Sequence, residues 1–458
     1  MLRHRVSATL LKQKSVTTGS IHFGLKEKTM RTLQILGVLL IAAMTLGGSC
    51  GGSSSSTPGS SSGVSVKALI AVPNITSTSN FSFDIAGVDS ASGRMYFTDR
   101  NNAAVDVIDM KTNTFLKFIG KGVFHGCDTG PSCVGANNDK SGPNGLNVIP
   151  GTNFIYVGDV NAVRIIDTTT DTVVNSLNIG GSSGLRADEG CYDPDHHIFM
   201  INSPAESPPF ATFIDTNTQK VIATLLFTDP GTGAGGPASA GLEACVYDHA
   251  TQTFLNNNDG STANPHGEVD VIPASFVVQN GNAANPPTLT LPVPTAANGF
   301  KIFPQGNCDP TGLDLGPGTD MIISCRQGTT NALLTVLIMN RVTGAILATL
   351  NAGGGDQVWY DQPTNRYYLG ASRWTANGLA ATNGACSTAS PCTPVLTVID
   401  AATKSVAVQT VSGNNAHSVA VDPATHQAYM PYSSSAAPAG CATCSTYPNG
   451  GVLVYATQ

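Results

Sequence analysis

Seven polar residues, Asp84, Asn144, Asp188, Glu243, Thr311, Asp356 and His417, fall at one recurring place in this chain, five positions ahead of a turn. Four of them are carboxylates. Brought together at a narrow opening, four carboxylates repel one another, so they must bind a cation, share a proton, or meet His417 and nearby backbone donors. Ca²⁺ or another hard divalent cation is the natural partner, and the seven residues are the candidate ligand-binding set. A plainer requirement produces the same column: strands that line a hydrated channel start with polar side chains whether or not a ligand is held there.

The elements that position this column are read from self-similarity along the chain. Val107-Ile108-Asp109 precedes Thr112-Asn113-Thr114; Ile165-Ile166-Asp167 precedes Thr168-Thr169-Thr170-Asp171; Phe213-Ile214-Asp215 precedes Thr216-Asn217-Thr218; Val398-Ile399-Asp400 precedes Ala401-Ala402-Thr403. Leu337-Ile338-Met339-Asn340 with Thr343 is a weaker copy. A second phrase comes before each, an apolar strand running into an Asp-Pro or Gly-rich turn and then an aromatic-bearing strand, as in Val419-Ala420-Val421-Asp422-Pro423 leading to Tyr429. Together the phrases make four antiparallel strands, the content of one propeller blade. The predicted fold is all-β, a seven-bladed β-propeller, with first strands near Ile85, Leu146, Gly190, Ala244, Gly312, Val358 and Val419. The last blade is one strand short, and the unassigned run Val66–Val72 is expected to supply it, closing the ring and removing its edges. The irregular stretch from Glu243 to about Pro294 leaves six or eight blades open.

This alternation resembles the YVTN-type β-propeller repeat of YncE-like proteins across nearly all of residues 64–458. A second resemblance is local. Pro143-Asn144-Gly145-Leu146 followed by Tyr156-Val157-Gly158-Asp159 is similar to one repeat of the gluconolactonase and SMP-30 propellers, metal-dependent lactonase-type hydrolases. That likeness implies metal-ligand roles for Asn144 and Asp188, with Glu243 the further carboxylate of the candidate metal set. The Gly-Glu-Gly-Pro phrase that carries a metal-binding Glu in that family is missing here. Between a non-enzymatic binding or scaffold propeller and a hydrolase with a cation at the channel mouth, this absence favours the first.

Composition agrees with many turns and short strands: 49 glycines and 27 prolines, with 12% of residues charged. Residues 51–458 keep 16 basic against 29 acidic side chains, with no Lys/Arg cluster in sequence, so nucleic acid is not expected as a partner. Protein, glycan or small-molecule ligands stay open, and a monomer is expected. Residues 1–29 read as an over-extended start, and 30–50 as a signal peptide whose apolar run, Leu33 to Leu46, is short for a membrane span. Cys50 opens a Gly/Ser tether, 51–63, in the manner of a bacterial lipoprotein, although Gly47 stands where such signals usually carry Leu. The expected location is the cell envelope, held by that lipid anchor, or outside the cell.

Ten further cysteines in an exported chain suggest disulfides. Cys127 with Cys133, Cys386 with Cys392 and Cys441 with Cys444 are expected as loop clips. The repeat register sets Cys191 and Cys245 on neighbouring innermost strands, either bonded or as two buried thiols, and Cys308 and Cys325 complete the candidate set. Three motifs are set aside. Gly180–Gly184 satisfies G-x-S-x-G but precedes a strand where a nucleophile elbow needs a helix. Leu255–Gly260 lacks the acids of a Ca²⁺ loop and reads as an Asn/Gly turn. His196 and His197 are adjacent, so in a strand or its turn they point apart.

Overall fold

An acid at the end of a strand, followed by a polar pair and a residue able to take positive φ, is a turn instruction. The recurring Ile-Asp phrase works this way. Asp109 Oδ1 accepts the backbone N–H of Lys111 (2.8 Å) and of Thr112 (3.0 Å). Asp215 does the same for Asn217 and Thr218, and Asn340 for Val342 and Thr343. Asn113, Asp171, Gln219 and Lys404 then take positive φ, between 50° and 54°, and Gly344 takes 74°. A register shift follows in each hairpin, the signature of a tight turn ending in a one-residue bulge.

The structure is a computed structural model, which describes residues 63–227, 241–326, 334–372, 391–433, 441 and 444–457. Its strands form seven sheets. Blade 1 is Phe83–Asp89, Arg94–Asp99, Ala104–Asp109 and Thr114–Ile119. Blade 2 is Leu146–Val148, Phe154–Asp159, Ala162–Asp167 and Thr172–Asn178. Blade 3 is Gly190–Asp193, Ile198–Ser203, Phe210–Asp215 and Lys220–Leu226. Blade 4 is Leu242–Asp248, Thr253–Asn258, Glu268–Pro273 and Lys301–Pro304. Blade 5 is Pro310–Leu315, Asp320–Cys325, Val336–Asn340 and Ile346–Leu350. Blade 6 is Val358–Asp361, Arg366–Ala371, Val395–Asp400 and Ser405–Val411. Blade 7 is Ala420–Val421, Ala428–Tyr432 and Gly451–Ala456, completed by Ser65–Ile70 from the other end of the propeller. The closure is antiparallel, from Ser65 opposite Ala456 to Ile70 opposite Val452.

The all-β, seven-bladed expectation holds, and the irregular fourth repeat has a structural reason. Between the third and fourth strands of blade 4 the chain makes a helix, Ala274–Asn280, and then a strand, Thr288–Thr290, that pairs in parallel with the outer strand of blade 3. Blade 3 thereby gains a fifth strand. The helix buries Ala274 and Val277 in the apolar seam between blades 3 and 4.

Seven apolar clusters are distributed among the blade interfaces of the described residues. Val107, Ile119, Leu146 and Val157 lie between blades 1 and 2, and Ile70, Phe97, Ile108 and Val454 between blades 7 and 1. Each such side chain contributes about 1.5–3 kcal/mol when fully buried, so stability resides in the seams. Trp359 of blade 6 is partly buried against the clusters on both sides of blade 7; Trp374 lies outside the described residues.

Disulfides join Cys127 to Cys133, Cys441 to Cys444, Cys308 to Cys325 and Cys191 to Cys245. The last ties the innermost strands of blades 3 and 4. Cys392 is also disulfide-bonded; Cys386, its expected partner, lies outside the described residues, as do Cys50 and the signal and tether segments. The expectation of an Asn/Gly turn at 255–260 is corrected. Asn256, Asn257 and Asn258 are buried in the second strand of blade 4, where Asn257 Nδ2 donates to the Thr311 carbonyl at 2.8 Å and Asn258 Nδ2 to Asp270 at 3.0 Å.

Candidate functional site

The seven-residue column stands at or just ahead of the first strand of each blade. Asp84, Asp188, Glu243, Asp356 and His417 line a cleft of about 360 Å³ at one mouth of the channel. The other two are turned into its wall. Asn144 is fully buried; its Oδ1 accepts from Arg100 Nε (2.9 Å) and Nη2 (2.7 Å), and its Nδ2 donates to the Ser141 carbonyl at 2.9 Å. Thr311 Oγ1 donates to backbone carbonyls of Gly355 and Ser324. The channel widens beyond Glu189 and Asp356, which line both chambers, into a cavity of about 700 Å³.

Backbones approach closely around this mouth. A Cβ on Gly145 would lie 1.7 Å from the carbonyl oxygen of Asp188, so only glycine lets blade 2 meet blade 3 there. The amides of Asp356 and Gln357 both donate to the His417 carbonyl, at 3.0 and 3.1 Å, joining blades 6 and 7. The Gln357 side chain continues the seam to blade 1, donating to Ala86 O at 2.7 Å and accepting from Ala86 N at 3.2 Å.

Acid–acid repulsion is relieved by three arginines that the column did not include. Arg100 pairs with Asp84; Arg186 lies 2.7 Å from Asp188 and 4.0 Å from Asp84; Arg326 lies 2.9 Å from Glu243 and also pairs with Asp259. The sequence shows no basic cluster because these residues come from blades 1, 3 and 5. A signal was present all the same: Arg100 and Arg326 each directly follow the second strand of their blade, after Asp99 and Cys325. Reading a second column at that register would have paired them with the first.

The arginines do not fully offset burial. Burial raises the Asp188 carboxyl to about 7 against the pull of Arg186. Asp84 is likewise raised by burial, with Arg100 and Arg186 opposing. Glu243 is pushed well above the carboxylate range by burial despite Arg326, and Glu189 by burial and then the charge of Glu243. A mouth built this way shifts its carboxyls upward and presents opposed charges to a ligand.

The candidate metal residues Asn144, Asp188 and Glu243 are therefore each held by an arginine. The described residues that converge as three ligand atoms within 4.8 Å are Asp84, Asp356 and His417. Of the lining serines, Ser82 Oγ accepts from Arg100 at 3.3 Å, and Ser433 Oγ donates to the Phe81 carbonyl at 2.8 Å. The Gly180–Gly184 motif is an inter-blade loop, its Ser183 amide donating to Glu206 at 2.8 Å. His196 pairs with Asp193 at 2.8 Å, and His197 faces Tyr192.

Comparison with known proteins bears on the architecture. The chain is similar to hydrazine synthase of Kuenenia stuttgartiensis, with a TM-score of 0.55 at 11% identity, covering 84% of this chain and 97% of that one. It is also similar to a chain of the mitotic checkpoint complex (TM-score 0.52, 10% identity, 91% and 98% covered) and to U3-55K (0.53, 9%, 85% and 98%). At such identities the likeness is one of fold. No family model matches the chain, and no curated protein matches it.

Proposed function

We propose that this protein is an exported, YncE-like binding or scaffold propeller of the cell envelope, tethered through lipidated Cys50, whose charged channel mouth receives a polar ligand. One observation carries the reading. Five column residues and three arginines, contributed by six of the blades, converge on one open cleft with opposed charges, while the two lining serines are committed to an arginine and a carbonyl. The disulfides among the described residues fit an oxidising compartment. The lactonase-type hydrolase is the weaker alternative, because the Asn144 oxygen that the resemblance would give to a metal is taken by Arg100.

Two measurements test this. Fractionation of cells producing the full chain, with and without Cys50→Ser, should place the parent with membranes and the variant in the soluble extracytoplasmic fraction; parent retained in the cytosol overturns export. A melting-temperature screen against soluble glycans, amino acids and short peptides should find a concentration-dependent rise that Arg326→Gln abolishes. A rise unchanged in that variant removes the ligand from the mouth.

A further inference from the structure

Asp84, Asp356 and His417 come from blades 1, 6 and 7, which are consecutive around the ring, and they meet on one side of the mouth. Asp84 divides its two oxygens between neighbours. Oδ2 goes to Arg100, and Oδ1 faces His417. His417 is oriented from both sides: its ring stacks on Phe83, with centroids 4.6 Å apart and planes 5° from parallel, and its Nδ1 lies 2.6 Å from the Asn415 carbonyl. A carbonyl only accepts, so Nδ1 carries the hydrogen and Nε2 is the ring nitrogen that faces the two carboxylates, where an unprotonated Nε2 can ligate. This is the arrangement by which proteins orient a metal-binding histidine.

Nε2 stands 3.9 Å from Asp84 Oδ1 and 3.8 Å from Asp356 Oδ2. These separations exceed a hydrogen bond. Two ligands on one zinc ion, each about 2.0–2.2 Å from it at a tetrahedral angle, stand about 3.4 Å apart, so seating an ion draws His417 about half an ångström closer to each carboxylate, and the two carboxylate oxygens, which lie within 4.8 Å of each other, together as well. We propose that Asp84, Asp356 and His417 bind one divalent transition-metal ion of the zinc class, with its remaining coordination positions facing the cleft. The imidazole decides the class. A hard cation such as Ca²⁺ seeks six to eight oxygens, whereas one nitrogen with two carboxylates suits zinc, cobalt or their neighbours. The hard cation expected from the carboxylates alone is replaced by a softer one because His417 belongs to the cluster. The proposal rests on the mouth being the ligand-binding end of the propeller.

The test is calorimetric titration of the tag-free, chelator-stripped full chain with Zn²⁺ and, separately, Ca²⁺, on the parent and on Asp356→Asn and His417→Gln. Asp356 is partly exposed, so its variant preserves the fold if loss of the Phe83–His417 stack does not. Expected are one Zn²⁺ per chain, weaker Ca²⁺ binding, and a loss of at least about 100-fold in Zn²⁺ affinity for each variant. Co²⁺ should give the visible spectrum of a four- or five-coordinate site, bleached in both variants. Absence of Zn²⁺ and Co²⁺ binding to the parent overturns the proposal, as does stoichiometric binding unchanged in both folded variants. The ligand screen, run with and without chelator, separates the two readings. Ligand shifts without metal binding remove the ion and leave the mouth as a site.

Discussion

Asp99 and Asp106 form a buried acid pair in blade 1, and replacing Asp106 with Asn tests how the blade tolerates it. Both side chains are fully buried. Asp99 accepts from the Asn102 amide (2.9 Å) and from its side chain (2.6 Å), while both Asp106 oxygens lack such donors among the described residues. Burial raises Asp99 from 3.8 to about 6 and drives Asp106 well above that range, with the Asp99 charge pushing it further. Each folded pKa is above its unfolded value, so the stabilising contribution is complete below pH 3.8 and is lost as pH rises through the folded value. For Asp99 that loss is about 3 kcal/mol between pH ~4 and ~6. For Asp106 it continues upward at about 1.4 kcal/mol per pH unit for as long as the native state holds the proton. An Asn at 106 offers an N–H to Asp99 in place of that proton and does not titrate. Near pH 4 Asp106→Asn should match the parent, and its advantage should widen with pH to about 3 kcal/mol by pH 6. For a propeller of this length that is roughly 3–4 °C in Tm. Melting curves at unit pH intervals from 4 to 9 measure it, and parallel profiles for parent and variant would refute the shared proton.

Three further outcomes follow from the same structure. Removing the Cys191–Cys245 bridge, which spans 54 positions, should cost about 4 kcal/mol, against about 2 for the 6-position Cys127–Cys133 clip, measured by denaturant unfolding of the paired serine variants. Gly145→Ala forces blade 2 away from the Asp188 carbonyl and should lower Tm by an amount equivalent to about 1–3 kcal/mol, with weaker ligand binding at the mouth. Arg326→Gln leaves Glu243 and Asp259 without their cation. Burial holds the folded pKa of Asp259 at about 6 against the pull of Arg326, and the variant raises it further, so the loss should be slight near pH 4, develop as pH passes about 6 and reach roughly 1–3 kcal/mol at pH 8. A deficit constant across pH would mean that Arg326 acts through packing alone.

The blades were legible because a propeller repeats one local solution. The turn acids Asp109, Asp167, Asp215 and Asp400 cap their hairpins by short-range bonds, and such bonds leave a mark at a fixed spacing in sequence. The column was legible for the same reason, as one register read across repeats. What escaped reading depends on contacts between repeats. Arg186 and Arg326 reach acids 102 and 83 positions away, Asp84 and Glu243, and nothing in their own phrases announces these partners. Asn256 to Asn258 look like a turn by composition, yet Asn257 and Asn258 satisfy their amides across a strand and a blade boundary. The inserted helix Ala274–Asn280 carries no side-chain cap and is held by the seam it fills, so its local sequence gives little warning.

The strand Ser65–Ile70 imposes an order of events on the newborn chain. It is the first strand of the propeller to be made, and its partner, Gly451–Ala456, is the last. At about 5–20 residues per second the interval between them is on the order of tens of seconds. Six blades can zip in sequence during that time, while the ring stands open with one orphan strand and one incomplete sheet. Closure then carries a large loop entropy, since it joins contacts separated by almost the whole propeller. A premature stop a few codons ahead of Ala456 would remove little mass and leave two unsatisfied edges, so the protein should tolerate losses at its loop tips far better than losses at this clasp.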